Sequence, residues 1–271
     1  MNFLDNIFNL KDKIAIITGG AGLLGNEYAK ALVSCGASVA IVDTDEIKIN
    51  KLKTLLQEKF NARVLGLVAD ISKKEEAEKM VKEAIAIFGK IDILINNAGV
   101  SGKFESGNIA PLFENYPQEE WDKAWAVNVT GMFLCAQAAG REMIKSGGGV
   151  MVNISSIYGV VAPDQRLYNK EGELNFVKPV SYSVTKSAIL NLTRYLAAYW
   201  GGKNIRVNTL TPGGVFDNQD TAFVQKYNNK TPLGRMANPD DMVGPMLFLV
   251  SDASKYMTGA NLVIDGGQTI W

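Results

Sequence analysis

Histidine is absent from the 271 residues, which removes every imidazole general base, every His-based nucleophile arrangement and every His-ligated metal centre. Cysteine is nearly as scarce. Cys35 and Cys135 are the only thiols, 100 positions apart, and both sit in apolar, helix-like surroundings. Neither a zinc site nor a disulfide is expected, and the two read as buried free thiols of a reducing compartment. Net charge is missing as well: 28 Lys plus Arg balance 28 Asp plus Glu, with no long basic run. Nothing therefore favours nucleic acid or an anionic membrane surface as a partner. No stretch approaches the ~18 uninterrupted apolar residues of a membrane span. The first ten residues lack early cations and are broken by Asn and Asp, unlike a secretion signal. The expectation is a cytoplasmic protein without metal.

What is present is a chain that is 47% hydrophobic, enough for a large core. Short β-rich runs alternate with longer helical patterns. Strands are expected at Lys13-Thr18, Ser38-Val42, Arg63-Val68, Asp92-Asn96, Gly149-Ser155, Ile205-Leu210 and Asn261-Ile264. Their near-continuous apolar character suits strands buried on both faces, as in a parallel sheet covered by helices. Helices are expected at Leu24-Cys35, Glu46-Lys59, Lys73-Phe88, Gln118-Lys145, Ser181-Gly201 and Pro239-Ser251, the third opened by a capping box of Ser72 and Glu75. Without internal repeats or linkers, the pattern predicts one α/β domain over residues 1–271, a doubly wound, seven-stranded parallel sheet of Rossmann type. Two stretches interrupt the alternation: the polar segment 163–179, with six charged residues, and 213–238, rich in Gly and Pro around a short helix-like piece. Long irregular segments in a compact domain are usually functional or mobile, so both are candidate substrate-side loops.

Directly after the first strand comes Thr18-Gly19-Gly20-Ala21-Gly22-Leu23-Leu24-Gly25. Gly20, Gly22 and Gly25 satisfy Gly-x-Gly-x-x-Gly: a tight turn, a close approach of backbone to pyrophosphate, and close packing of helix on strand. The following helix N-terminus offers free N–H groups to phosphates. Asp43 closes the second strand 18 residues after Gly25. A carboxylate there accepts both hydroxyls of an adenosine ribose and repels a 2′-phosphate, and Thr44, the next residue, brings no cation. NAD is therefore expected in preference to NADP. The alternative is that Asp43 merely caps the next helix, a task open equally to Asp45.

Tyr182 and Lys186 stand at i and i+4 at the start of a helix, on one face. A phenol is a poor base at neutral pH, and a nearby ammonium favours its phenolate. Asn153-Ile154-Ser155-Ser156 ends the fifth strand, Asn96-Asn97-Ala98-Gly99 the fourth, and Pro212-Gly213 the sixth, while Asn128 falls inside the long helix between. From Lys11 to Gly267 these motifs, in this order, resemble the short-chain dehydrogenase/reductase family. The resemblance implies that Tyr182 exchanges a proton with the substrate oxygen. Lys186 would lower the tyrosine pKa and hold the nicotinamide ribose. Ser156 would hydrogen-bond the reacting oxygen, Ser155 lying one residue earlier in the strand. Asn128 would support a water-linked proton relay near the lysine. It further implies that Asp70 and Ile71 lie beside the adenine, Asn97, Ala98 and Gly99 along the cofactor, and Pro212, Gly213 and Val215 on the nicotinamide side.

Two departures from the family pattern carry information. Leu23 occupies the place of the middle glycine in the family's Thr-Gly-x-x-x-Gly-x-Gly, with Gly22 one position earlier, and Ser156 and Tyr182 are 26 residues apart. Both features resemble the longer sugar-nucleotide epimerases and dehydratases, which retain their NAD. The Asn96–Gly99 motif, the length and the Val263–Gly267 ending are those of simple dehydrogenases. Residues 156–163 and 212–219 are similar to dehydrogenases associated with flagellin-sugar and surface-glycan modification. The resulting expectation is hydride transfer between NAD and a secondary alcohol or ketone of a small-molecule sugar derivative. The alternatives are an epimerase or dehydratase, or a non-catalytic NAD-binding regulator. Trp125, Val129 and Phe133 on the fourth long helix, and Leu190, Leu196, Tyr199 and Trp200 on the fifth, leave apolar residues on more than one face. With the family resemblance they imply a homodimer or homotetramer.

Overall fold

Seven apolar runs pair as parallel strands, and each return to the sheet is made by a helix on one of its faces. The computed structural model describes residues 7–101, 112–169 and 177–271; residues 170–176 of the expected substrate-side loop lie outside that range. In chain order the elements are β1 (Ile14–Thr18), α1 (Leu23–Ser34), β2 (Ser38–Asp43), α2 (Glu46–Phe60), β3 (Val64–Val68), α3 (Lys74–Phe88) and β4 (Ile93–Asn96). There follow α4 (Gln118–Trp125), a π-helical turn at Ala126–Gly131, α5 (Met132–Lys145), β5 (Gly149–Ile154), α6 (Val180–Trp200) and β6 (Ile205–Pro212). The chain closes with α7 (Thr221–Lys230), α8 (Val243–Val250) and β7 (Asn261–Ile264).

The strand order is β3-β2-β1-β4-β5-β6-β7. The order reverses between β1 and β4, and open α/β sheets bind ligands outside the carboxyl ends of the strands at that switch point. Register brings those ends level: Thr18 lies opposite both Val42 and Asn96, and Asn96 opposite Asn153. Because side chains alternate along a strand, Ala15 and Ile17 of β1 join the core on one face, with Leu32, Met246 and Leu249, while Ile16 points to the other, with Met80, Ala139 and Trp200. Each central strand is thus apolar on both sides, the reason for the unbroken hydrophobic runs.

Local signals differ from expectation at three places. Ser72 does not cap α3: its hydroxyl turns to Asp70 Oδ1 (2.7 Å), the N-cap falls on Lys73, and the Asp70 N–H donates instead to Glu76 (2.7 Å). The helix expected over 118–145 is divided by the π turn. The segment 213–238 contains a full helix, α7, held by Phe223, Val224 and Tyr227 packing with Leu167, Tyr168 and Met236. Both cysteines are free, and burial raises both thiols, Cys135 to about 12, so neither offers a thiolate at neutral pH.

Candidate active site

The loop between β1 and α1 is built on two close approaches. Gly19 has φ +59, and a Cβ there would lie 2.8 Å from Ala98 Cα. A Cβ on Gly25 would lie 2.3 Å from the Gly19 carbonyl oxygen. The left-handed turn is therefore made by Gly19 and not by Gly20, where the glycine spacing had put it; Gly20 is instead constrained by the Ile17 carbonyl, 2.8 Å from its notional Cβ. Gly22 is the N-cap of α1 and carries no side chain to cap it, so the first N–H groups of the helix remain directed at the cleft. Leu23, at the position of the missing glycine, is exposed at the cleft mouth. Asn97 clamps the loop from β4 by donating to the Thr18 carbonyl (3.1 Å) and the Gly19 carbonyl (2.9 Å).

Asp43 ends β2 facing this loop. Its Oδ2 accepts from the Ala21 N–H (3.1 Å), and its Oδ1 from the N–H groups of Thr44 (2.8 Å) and Asp45 (3.3 Å). The cap of α2 is Asp45, which accepts from the Lys48 N–H at 3.0 Å; Asp43 is not needed for it. Asp43 lines a cavity of ≈ 620 Å³ with Gly19, Gly22, Leu23, Leu24, Asp70, Ile71 and Asn97 to Gly99. The Asp70 carboxyl is held below its usual value, chiefly by its hydrogen bond from the Ser72 hydroxyl.

A second cavity of ≈ 630 Å³ adjoins the first, sharing Leu24, Asn97, Gly99 and Ser101 as walls. Into it face Ser156, Tyr182, Lys186, Pro212, Gly213 and Val215, so residues from β4, β5, α6 and β6 converge as the sheet topology requires. Lys186 is buried, and its ammonium donates to the Ile154 carbonyl at 2.8 Å. Burial, with a smaller contribution from the charge of Lys178, lowers its pKa to about 8. Burial also pushes the Tyr182 phenol up, and the neighbouring Ser156 hydroxyl pulls it partly back. The downward pull expected from Lys186 does not dominate: its ammonium is 5.8 Å from the tyrosine ring centroid, and desolvation of the phenolate outweighs attraction over that distance.

The two serines divide their tasks. Ser155 Oγ donates to the Lys186 carbonyl (2.7 Å), tying α6 to β5, whereas Ser156 Oγ accepts a 3.2 Å bond from the Tyr158 N–H at the cavity wall and meets the Tyr182 hydroxyl. Asn128 sits in the π turn, where its Oδ1 accepts from the Val100 N–H (2.7 Å) and its Nδ2 donates to the Val100 carbonyl (2.9 Å) and Thr185 Oγ1 (3.0 Å). Its side chain is committed to holding the segment after β4 against α6. Gly99 fits between, its notional Cβ 3.2 Å from Lys186 Nζ and 3.4 Å from Asn128 Oδ1.

Among the cavity residues that escaped the sequence reading are three tyrosines and a lysine. Tyr158 and Tyr168 pair through their hydroxyls at 2.8 Å, the Tyr227 hydroxyl accepts from the Gly214 N–H, and the Lys178 ammonium lies 4.4 Å over the Tyr182 ring. Only Tyr158, two positions after Ser156, carried a local signal.

Residues 20–269 match a family model described as Enoyl-(Acyl carrier protein) reductase. The NAD-dependent glycerol dehydrogenase of Listeria innocua is 37% identical over 271 residues, covering 98% of this chain and 97% of that one. A solved short-chain type dehydrogenase/reductase of Mycobacterium marinum superposes with a TM-score of 0.87 at 31% identity, covering 99% of both chains. The chain belongs to the short-chain dehydrogenase/reductase family. As a short-chain dehydrogenase/reductase it is an oxidoreductase that binds a nicotinamide cofactor and acts on a small molecule. Similar family members differ in task. Post-translational flagellin modification protein A of Campylobacter coli is 33% identical over 258 residues, 95% of this chain and 98% of that one. A gluconate 5-dehydrogenase of Burkholderia cenocepacia, solved with NADP and tartrate, has a TM-score of 0.87 at 30% identity, covering 99% of both chains. Among the described residues, no helix is long and apolar enough to cross a membrane.

Proposed function

We propose that the protein is an NAD-dependent dehydrogenase acting on a secondary alcohol, or the corresponding ketone, of a sugar derivative. One observation carries the reading: Ser156, Tyr182 and Lys186 face a cavity continuous with a cleft whose far end holds the Asp43 carboxylate. The cleft fits a dinucleotide. Gly19 and Gly22 leave room for phosphates at the open N-terminus of α1, Asp43 is positioned to accept ribose hydroxyls, and Asp70 and Ile71 flank the adenine end. A nicotinamide bound there would supply the two-electron hydride acceptor.

The remaining steps belong to the chain. Ser156 Oγ donates to the substrate oxygen and fixes it beside Tyr182. The Tyr182 oxygen removes the hydroxyl proton in oxidation and returns it in reduction. A phenol that burial keeps protonated suits the reductive direction; in oxidation the Lys186 ammonium, one helical turn away, stabilises the phenolate. Lys186, anchored on the Ile154 carbonyl, is within reach of a ribose on the nicotinamide side. Asn128 acts by position: with its amide fully engaged, it fixes the wall on which Lys186 and Gly99 meet, and any water-linked relay must pass by its backbone. Pro212, Gly213 and Val215 close the nicotinamide side.

Tyr158, Tyr168, Lys178 and Asp220 place polar groups on a wall that Ile157, Val215, Phe223 and Met236 otherwise make apolar, and a hydroxyl-bearing substrate would use that polar side. Relatives with polyol and sugar-acid names point the same way. The test is purified protein with NAD or NADP and a panel of polyols, aldonates, sugar phosphates and nucleotide sugars, followed by formation of reduced cofactor. NAD-dependent oxidation of a polyhydroxylated substrate is expected. Conversion of a sugar nucleotide with no net NADH would indicate an epimerase or dehydratase instead.

We also propose a dimer or tetramer. Trp200 and Leu196 are consumed by the core, but Tyr195 and Tyr199 of α6 stack with ring centroids 6.0 Å apart on the surface, and Phe133 of α5 is exposed. Light scattering is expected to give a multiple of the single-chain mass; a monomer would count against this assignment.

A further inference from the structure

Most lysines of this protein extend into water, and those in ion pairs meet Asp or Glu at the surface. Lys178 does neither. It lines the substrate cavity just before α6, its backbone N–H fixed by Gln165 Oε1 at 2.8 Å, and its ammonium lies 4.4 Å over the face of Tyr182. Among the described residues no carboxylate pairs with it. Asp220, on the same cavity, uses Oδ1 to cap α7 through the N–H groups of Ala222 (2.7 Å) and Phe223 (3.3 Å). Lys186, the other cation of the cavity, already donates to the Ile154 carbonyl.

We propose that Lys178 anchors a carboxylate of the substrate, making the preferred substrate a polyhydroxy acid and not the neutral polyol of the same length. A charge withdrawn from water is costly unless it is paired and hydrogen-bonded. The aromatic face compensates only part of that cost, and an incoming carboxylate supplies the rest as a charge-assisted hydrogen bond. Among the described residues, Lys186 donates to a backbone carbonyl and Lys178 is the cavity ammonium placed to meet an anion, and a carboxylate suits a single ammonium. Burial lowers the Lys178 pKa only to about 8, so the ammonium predominates at neutral pH. The Tyr158 hydroxyl, paired with Tyr168, then adds a polar contact for the remaining hydroxyls. Because the ammonium overlies the ring of the tyrosine that handles the proton, the oxidised carbon and the carboxylate must be close neighbours on the chain.

This inference rests on the dehydrogenase reading, and its test separates the two. With NAD, kcat/KM is compared for aldonates of three to six carbons, the matching polyols and polyol phosphates, in the wild type, Lys178→Met and Lys178→Arg. The wild type is expected to favour an aldonate over its polyol at least tenfold. Lys178→Met is expected to reduce that ratio by about 10²-fold, mainly through KM, with Lys178→Arg restoring most of it. Equal losses on acid and polyol would make Lys178 a positioning residue for Tyr182 and overturn the proposal, as would a wild type that prefers polyols or phosphates. Should no substrate reduce NAD, the dehydrogenase reading fails, and the anion site is read by titrating D-gluconate into the enzyme–NADH complex. At least tenfold weaker binding by Lys178→Met supports the site; equal binding by both proteins refutes it.

Discussion

Replacing Tyr182 with phenylalanine is expected to lower kcat by about 10³-fold while the protein stays folded and continues to bind NAD. The hydroxyl is the group in the cavity positioned to exchange a proton with the substrate oxygen, and positioned general acid–base groups contribute about 10² to 10⁴ in rate. Besides the proton step, the hydroxyl serves the interaction with Ser156. Ser156 keeps its hydrogen bond from the Tyr158 N–H, and Lys186 its bond to Ile154. The phenylalanine ring still fills the space beneath Lys178. The loss of stability should therefore stay near 1 kcal/mol, the scale of a single hydrogen bond, and a melting curve checks it. Cofactor affinity, which the proposed binding mode assigns to Asp43 and the Gly19–Gly25 loop, is measured by NADH fluorescence and should be unchanged. A variant retaining more than a tenth of wild-type turnover would remove Tyr182 from the proton step.

The parts of this site that could be read from the sequence are those in which one residue type has one physical use. The β1 and β2 runs can only be doubly buried strands, so Gly19–Gly25 and Asp43 had to lie at their carboxyl ends. Tyr182 and Lys186, one helical turn apart, had to share a face. Ser156 was separable from Ser155 only by register, and the structure explains the separation: Ser155 points back to the Lys186 carbonyl. What was not legible depends on contacts between distant segments. The π turn around Asn128 has no local signature; it is supported by the bonds of that one amide to Val100 and Thr185. In α7, Thr221–Lys230 is mostly polar and announces only a short helix-like piece, and Tyr227 and Phe223 become apolar anchors only because Leu167 and Met236 meet them. Lys178 looked like one more charge in a polar loop. Its place over Tyr182 is fixed by tertiary structure, the Gln165 bond among it, and no periodicity encodes that.

Removal of the Asp43 charge is expected to shift the cofactor preference by about 10² to 10³-fold toward NADP. In the wild type the carboxylate is held by three backbone N–H groups, from Ala21, Thr44 and Asp45, so it cannot swing away from a 2′-phosphate placed beside it. Two like charges ~4 Å apart at an effective dielectric near 20 repel by about 4 kcal/mol, and each 1.4 kcal/mol is about a factor of ten. The nearby Lys48 gives little relief, since it is engaged by Asp45 at 3.0 Å. Asp43→Asn nearly preserves the volume and retains an oxygen able to accept from Thr44 and Asp45, while losing the charge and the acceptor facing Ala21. Adding Thr44→Arg supplies the guanidinium that position 44 lacks and should carry the preference past parity, because arginine pairs with phosphate through two parallel hydrogen bonds. The measurement is the ratio of kcat/KM with NAD to that with NADP, taken on one substrate for the wild type and both variants. A wild type that uses the two cofactors equally, or a ratio unmoved within tenfold by Asp43→Asn, would show that the carboxylate does not face the ribose and that selectivity, if any, is set elsewhere in the cleft.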